Sequence, residues 1–172
     1  MSRGFSHAIR SRRFVHVLVV AVAVGVPGVG RTVAQPPPTA TVEHLGDYAQ
    51  LRQTDDHVYG YVLQLWRDGA RIVGLWSMAS GEPADFPTVR VDDLSWDGAS
   101  GVIRFTVRAC GSTSRVAGVA AESEIAARIT DLRTGTVTDV RLRRSDDDRP
   151  SLTRREWLAQ TADILKRRTP RC

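Results

Sequence analysis

The chain has 172 residues, 42% of them hydrophobic, and a formal net charge of +5 at neutral pH. Five of its 24 basic residues lie in the first 34 positions, where no acidic residue occurs, so the remainder holds 19 basic and 19 acidic groups. This neutral remainder lacks the basic excess that attracts nucleic acids or anionic membranes. Neither is therefore expected as a partner.

The first 34 residues have the layout of a secretory signal peptide. Arg10, Arg12 and Arg13 stand just before an uncharged run of 17 residues, Phe14 to Gly30, and small residues lead to Ala34. The alternative is an uncut membrane anchor, but glycines and a proline interrupt a run that is already short for a membrane span. We predict a signal peptide over 1–34, cleavage after Ala34, and export to the periplasm or the extracellular space.

The remaining chain has the size of a single domain. A Pro-rich lead-in, 35–41, precedes a domain over 42–172. Its two cysteines, Cys110 and Cys172, would reach an oxidising compartment, so we expect a disulfide between them. Neither has a His or Cys at ligand spacing, and no metal or cofactor is predicted.

Charge is distributed unevenly along this domain. Residues 35–100 hold 4 basic and 10 acidic groups, whereas residues 101–172 hold 15 and 9. We expect the two halves to attract each other, within one fold or between subunits.

The stretch from Tyr59 to Met78 predicts a β-hairpin that turns at Asp68-Gly69. One face of the hairpin is continuous and apolar, which is typical of a core. On the other face, this register places Trp66 opposite Arg71, where a cation–π contact is expected.

A second hairpin is predicted over 88–109, with an irregularity in its first strand. The apolar residues on the two sides of Asp92-Asp93 are out of phase, and one extra residue there would turn them all inward. This bulge would leave the two carboxylates near Arg104. The cluster of Asp92, Asp93 and Arg104 is either a small polar site or a bulge with a surface ion pair. The segment 110–114 that follows is interpreted as a loop.

A third hairpin is predicted around Thr134-Gly135. That turn sets Arg128 opposite Arg141, which is unfavourable. Either a counter-charge such as Glu124 or Asp139 lies nearby, or the register differs.

The pattern changes to a helical period over 153–168. Thr153 and Glu156 have the spacing of a capping box, and Leu152 and Trp157 that of a hydrophobic staple. The apolar stripe comprises Trp157, Leu158, Thr161, Ile164 and Leu165. We expect either this stripe or a second subunit to cover the outward apolar residues of the first hairpin, which are Val62, Val73 and Leu75.

Together these elements predict a mainly β domain. The expected architecture is an antiparallel hairpin meander of about six to eight strands, a curled sheet or partly closed barrel, with one C-terminal helix packed on it.

Two resemblances extend this interpretation. The runs LWRDGARIVGLWSM, VDDLSWDGASGVIRFTVR and EWLAQTADILKRRTPRC resemble uncharacterised small exported bacterial β-rich proteins, over roughly 60–172. The combination of a signal peptide, a hairpin meander, a late helix and one disulfide is similar to the lipocalin-like pattern. That resemblance implies an apolar ligand in the mouth of a barrel.

The function predicted from these features is binding without catalysis, of a small apolar ligand or an envelope protein, by a monomer or a homodimer. The residues expected to line a ligand cavity are Tyr59, Tyr61, Trp76, Met78 and Phe105.

Two alternatives remain open. One is a secreted inhibitor that binds another protein through an exposed loop within 79–87. The other is a hydrolytic enzyme that uses Asp55, Asp56 and His57, although adjacent residues of this kind more often form a solvated turn. The sequence contains no phosphate-binding loop, H-E-x-x-H or C-x-x-C motif, so no catalytic residue is assigned.

Mass spectrometry of the exported protein tests the leader and the disulfide together. We expect a chain that starts at Gln35, with a mass lower by two hydrogen atoms than the reduced form. Reduction should cost roughly 4 kcal/mol of stability in the chain-entropy account of a loop of about 60 residues. A retained leader, or a mass that reduction leaves unchanged, would contradict the corresponding prediction.

Overall fold

The computed structural model describes residues 40–81, 86–145 and 149–168. The predicted leader, Cys172, and residues 82–85 and 146–148 lie outside these ranges. The described residues belong to one compact unit, Pro37–Cys172. Its elements are β1 (Thr41–Gln53), β2 (Val58–Asp68), β3 (Arg71–Gly81), β4 (Thr88–Trp96), β5 (Val102–Ala109), β6 (Ser112–Ala120), β7 (Glu124–Asp131), β8 (Val137–Arg144), β9 (Leu152–Thr153) and α1 (Arg154–Arg168).

Eight antiparallel strands form a closed barrel. Each strand from β1 to β8 pairs with the next in the chain, and β1 also pairs with β8. The two-residue strand β9 pairs with the start of β1 outside this cycle. The predicted meander with one C-terminal helix is confirmed, and the pairing of β1 with β8 closes the sheet into a barrel.

The turn between β2 and β3 lies one residue later than the sequence predicted. Asp68 pairs with Arg71 and the loop is Gly69-Ala70, with Gly69 at φ +62°. A glycine at the first loop position suits a type II′ turn. A loop of Asp68-Gly69 would instead form a type I′ turn, which requires a positive φ at the aspartate as well. The predicted register was therefore wrong by two residues.

A shift of two residues preserves the faces of the hairpin, because side chains alternate. The predicted inward face of β2 and β3 is thus correct. On the outward face Trp66 lies opposite Val73 and not opposite Arg71, so the predicted cation–π pair was wrong. The guanidinium that does lie over an indole ring is that of Arg90, 5.8 Å from the ring centre of Trp157.

The bulge predicted in β4 is confirmed. Asp92 pairs with Thr106 and Ser95 with Arg104, which leaves one extra residue on β4. Asp93 takes a left-handed conformation at φ +51°. As predicted, the apolar residues on both sides of the bulge contact the interior cluster; they are Val89, Val91, Leu94 and Trp96.

The pairing of β7 with β8 also differs by two residues from the prediction. Arg128 lies opposite Asp139 and forms an ion pair of 3.0 Å with it, so no arginine pair arises. Arg141 lies 3.4 Å from Glu124. The doubt about this register was justified, and both suggested counter-charges are used.

Between β5 and β6 the chain turns in two residues instead of forming the predicted loop over 110–114. Cys110 and Gly111 both have positive φ, +50° and +71°, which is the requirement of the tightest hairpin turn. Ser112 already begins β6 and pairs with Ala109.

Side chains fill the interior of the barrel. The ring centres of Trp76 and Phe105 are 5.5 Å apart, and those of Tyr61 and Trp76 are 5.2 Å apart. The largest side chains of the interior are each at most 2% exposed; they are Trp76, Tyr48, Phe105, Leu63, Leu65, Ile103, Ile125 and Leu142. This filling is typical of barrels with eight strands.

The helix α1 packs on the outside of the barrel. Its capping box is formed: Glu156 Oε2 accepts the N–H of Thr153 (2.8 Å), and Thr153 Oγ1 accepts the N–H of Glu156 (3.2 Å). Trp157 reaches Trp66 with 6.0 Å between ring centres. The helix thus packs on Trp66, Val73 and Leu75 of the outward face of the first hairpin.

The contacts between the helix and the hairpin differ from the prediction at one residue of each element. The outer cluster comprises Val42, Trp66, Val73, Leu75, Leu152, Trp157, Ile164 and Leu165. Val62 does not belong to it, and Leu158 is 44% exposed. No helix in the described ranges is long and apolar enough to cross a membrane.

Gly60 provides a test of the pairing between β1 and β2. A Cβ at this position would lie 1.9 Å from the carbonyl oxygen of Gln50, and φ is +134°. We expect Gly60→Ala to lower the free energy of unfolding by at least about 2 kcal/mol, because backbone strain adds to this collision. Urea unfolding measures the change. Gly98→Ala is the control, since a Cβ there meets nothing within 4 Å, and an equal loss in both variants would contradict the expectation.

Candidate functional site

The five residues predicted to line a ligand cavity lie in different environments. Trp76 and Phe105 are each 2% exposed and fill the interior. Tyr61 and Met78 are partly buried against the same cluster. Tyr59 is exposed and stacks on His57, with ring centres 6.0 Å apart. Four of the five residues thus contribute to the packed core, and Tyr59 lies at the rim of the barrel.

The predicted polar cluster forms, but with a different arginine. Asp92 makes an ion pair with Arg108, whose guanidinium also lies 4.0 Å from Asp93. Arg104 faces Ser95 on the neighbouring strand, so its predicted place beside the carboxylates was wrong. Asp92 lies opposite Thr106, so Arg104 and Arg108, two residues to either side of Thr106, share its face of the sheet, and Arg108 is the one that pairs with it. The groups are solvent-exposed, and such pairs contribute little.

The residues of the hydrolase alternative lie in the connection between β1 and β2. Asp55, Asp56 and His57 are all exposed, and the N–H of Thr54 donates to the carbonyl oxygen of His57 (2.9 Å). Within the described ranges no group of three or more His, Cys, Asp or Glu side chains is arranged to hold a metal ion.

Some predictions fall on residues outside the described ranges. The disulfide stays a prediction, because Cys110 lies in the turn between β5 and β6 but Cys172 is not described. The loop proposed for an inhibitor is described only at its two ends, where Phe86 and Pro87 are partly buried.

A site that sequence reasoning missed lies where β1 meets β8. These strands pair at only two positions, Tyr48 with Arg144 and Ala49 with Arg143. Beyond them the strands separate, and the side chain of Gln50 takes the place of a backbone partner. Its Oε1 accepts the N–H of Arg141 (2.8 Å). We name this opening between the end of β1 and the start of β8 the seam.

The backbone of β8 is unpaired along the seam. Successive peptide groups in a strand point to opposite sides, and the bond to Gln50 shows that the N–H of Arg141 points toward β1. The N–H groups of Asp139 and Val137 therefore point the same way. Neither has a hydrogen-bond partner among the described residues. This stretch, Val137 to Arg141, is an open sheet edge.

A shallow groove of about 750 Å³ lies beside this edge. Its lining comprises Gln50, Ala117, Ala126, Ala127, Arg128, Asp139, Val140 and Arg141. Ala126 on β7 and Ala117 on β6 lie on the side of β8 away from the seam, so the groove extends from the edge across the outer face of the sheet. The arginines of its walls are paired with Asp139 and Glu124, and the groove has no strong excess of either charge.

Exposed apolar side chains flank the edge. Val137 at its start is 51% exposed, and Leu51 on the facing strand β1 is 45% exposed. Leu132, in the turn that leads into β8, is also exposed. An unpaired edge next to apolar side chains is the arrangement that promotes pairing with another chain.

Comparison with known proteins found no match to a family model, to a curated protein or to a solved structure. The site is therefore interpreted from its own geometry.

Asp131 fixes the turn that leads into the open edge. Its carboxylate accepts the N–H groups of Thr134 and Arg133 and the hydroxyl of Ser112, each at 2.8 Å. These bonds, that from Thr134 foremost, lower the pKa of Asp131 to about 2. A carboxylate whose pKa is lowered on folding stabilises the fold above its unfolded pKa, and this stabilisation is lost as the pH falls toward the folded value.

We expect Asp131→Asn to lose less stability than the parent protein between about pH 4 and pH 2, because it has no carboxylate to protonate at this turn. Urea unfolding across this pH range gives the comparison. Asp56→Asn is the matched control, since Asp56 makes no hydrogen bond or ion pair within the described ranges. Identical pH profiles for the parent and Asp131→Asn would contradict the assignment.

Proposed function

We propose that the chain is an exported, non-catalytic β-barrel that binds an envelope protein by adding one of its extended segments to the open edge of β8. The observation that carries this proposal is the pair of unpartnered N–H groups at Val137 and Asp139. A partner strand would satisfy these donors as an added strand of the sheet, on the side of β8 that faces β1. The export rests on the signal-peptide layout of the first 34 residues.

The packed interior favours this function over binding of an apolar ligand inside the barrel. Trp76 and Phe105 occupy the space in which the sequence placed a ligand, and they are nearly inaccessible. Entry of a ligand would require displacement of close-packed side chains, which costs several kcal/mol. Binding at the outer edge needs no such rearrangement.

The short edge implies a weak or transient complex. On this edge the unpartnered N–H groups are those of Val137 and Asp139, so an added strand forms few backbone hydrogen bonds, each of which contributes about 1 kcal/mol net. Contacts with Leu51 and Val137 add apolar area. A small interface of this kind is typical of transient encounters.

The test replaces a single residue of the edge. In Asp139→Pro the backbone donor that faces the seam is lost, while the hydrogen bonds between β7 and β8 remain, because they use the neighbouring peptide groups. A photoreactive amino acid at Leu51, introduced into the exporting cell, reports contact with the partner. We expect its adduct in the parent protein and its loss in Asp139→Pro.

Asp139→Ala is the matched control. It removes the ion pair with Arg128 but keeps the N–H, so the adduct should persist if the backbone carries binding. An adduct of equal yield in Asp139→Pro, with circular dichroism and Tm like those of the parent, would overturn the proposal. An adduct between two copies of this chain, accompanied by a dimer in sedimentation, would instead identify the edge as a self-association surface and also overturn it.

A further inference from the structure

A second cleft lies between the C-terminal end of α1 and the outside of β2. It has a volume of about 240 Å³ and is lined by Gln64, Arg149, Ile164, Arg167 and Arg168. Three of these five residues carry a guanidinium, and none carries a carboxylate. We name it the helix cleft; it does not include any residue of the seam or of the groove beside it.

A buried carboxylate below the helix cleft holds two of its walls in place. The side chain of Asp47 is 8% exposed and accepts hydrogen bonds from Gln64 Nε2 (3.1 Å) and from His44 Nε2 (2.8 Å). Its Oδ2 also lies 2.6 Å from a guanidinium nitrogen of Arg149. Gln64 and Arg149 are thus fixed before any ligand arrives, and pre-organised donors favour binding.

Part of this network has a purely structural role. The carbonyl oxygen of Asp47 accepts the N–H of Ser145 (2.7 Å), and together with Arg149 it ties the connection between β8 and α1 to β1. That role accounts for His44, Asp47 and Arg149. It does not account for the remaining guanidiniums of the cleft, which come from the helix.

The charges of the helix cleft do not balance. Arg149 is paired with Asp47, and Arg167 with Asp163. Within the described ranges no carboxylate lies within 4.0 Å of the Arg168 guanidinium. Arg149 and Arg167 each retain N–H donors beyond those used in their pairs, because a guanidinium has five. Among the described residues, the cleft therefore has one guanidinium without a carboxylate partner, together with the remaining N–H donors of two others.

The chemistry of these donors selects a small oxyanion. Guanidinium forks match the oxygen geometry of carboxylate, phosphate and sulfate. The helix does not help through its dipole, since its C-terminal end is negative and attracts the same cations, so the side chains must carry the binding. The volume is below that of most sites for drug-sized ligands, which fits an inorganic oxyanion or the anionic end of a larger molecule.

We propose that the helix cleft binds an oxyanion between Arg168, Arg149 and the amide of Gln64. This site is independent of the proposed strand addition, and either can fail without the other. Arg168 is the residue to change, because it makes no ion pair or hydrogen bond with another described side chain, whereas Arg149 and Gln64 both contact Asp47.

Isothermal titration with inorganic phosphate, at low salt and again at physiological chloride, tests the proposal. We expect saturable binding with one site per chain, weakened at least about tenfold in Arg168→Gln through the loss of a charge-assisted hydrogen bond. Arg155→Gln is the matched control: it removes the same charge from the exposed first turn of the same helix and should change the affinity by less than about twofold, as expected from screening.

Two results of the titration would contradict the proposal. Absence of saturable binding, or equal weakening in Arg168→Gln and Arg155→Gln, would overturn the proposal, since the latter indicates only a diffuse attraction. Vesicles of phosphatidylglycerol form a second arm. If they bind in a manner that depends on Arg168, the oxyanion is a lipid headgroup; if phosphate alone binds, it is a small solute. Both of these results support an oxyanion site.

Discussion

The hydrogen bonding of β1 determines how the barrel closes. This strand pairs with β2 at eleven positions, with β8 at two, and with β9 at two. It has an irregularity between His44 and Gly46, where Gly46 takes φ +148°. The pairing of β1 with β2 continues to Gln53, whereas its pairing with β8 ends at Ala49. The barrel is closed at one end of this pair and leaves an edge at the other, and the same irregular strand carries the buried Asp47.

Much of the fold follows from local patterns in the sequence. Alternation of apolar residues determines the inward faces. The phase change at Asp92-Asp93 marks the bulge, because one inserted residue moves every following side chain to the opposite face of the strand. Thr153 and Glu156 define the start of the helix for a similarly local reason. The hairpin registers are harder, because the turn type depends on which residue takes a left-handed conformation, and Gly69 could serve in either of two turns.

The candidate sites depend on contacts that are distant in the sequence, and this is why no pattern showed them. The seam arises from the separation of the first and last barrel strands, which requires the closed barrel to be known. Gln50, which bonds to Arg141, carries no motif. Asp47 and Arg149 are likewise remote from each other in the chain. The predicted ligand residues were selected as aromatic and inward-facing, and those properties are equally typical of a packed core.

The opposite charges of the two halves of the domain are used within the fold. Among the described residues, acids of the first half meet arginines of the second in four ion pairs: Asp47 with Arg149, Asp68 with Arg154, and Asp92 and Asp93 with Arg108. Two of the four join the helix, or the segment before it, to the barrel. The pair at Asp47 is the most buried and has the greatest weight, because removal of one partner leaves a charge away from water. Charge asymmetry thus orients the C-terminal segment on the barrel.

The outer cluster around Trp157 is separate from the cluster inside the barrel. Because local opening follows such separate sets of contacts, we expect the helix to detach at a lower free energy than that of global unfolding. The edge-to-face pair of Trp66 and Trp157 belongs to the outer cluster and joins the helix to β2. Trp76, in contrast, belongs to the cluster inside the barrel. Two indole environments in one small protein therefore give separate optical reporters, one for the docked helix and one for the barrel itself.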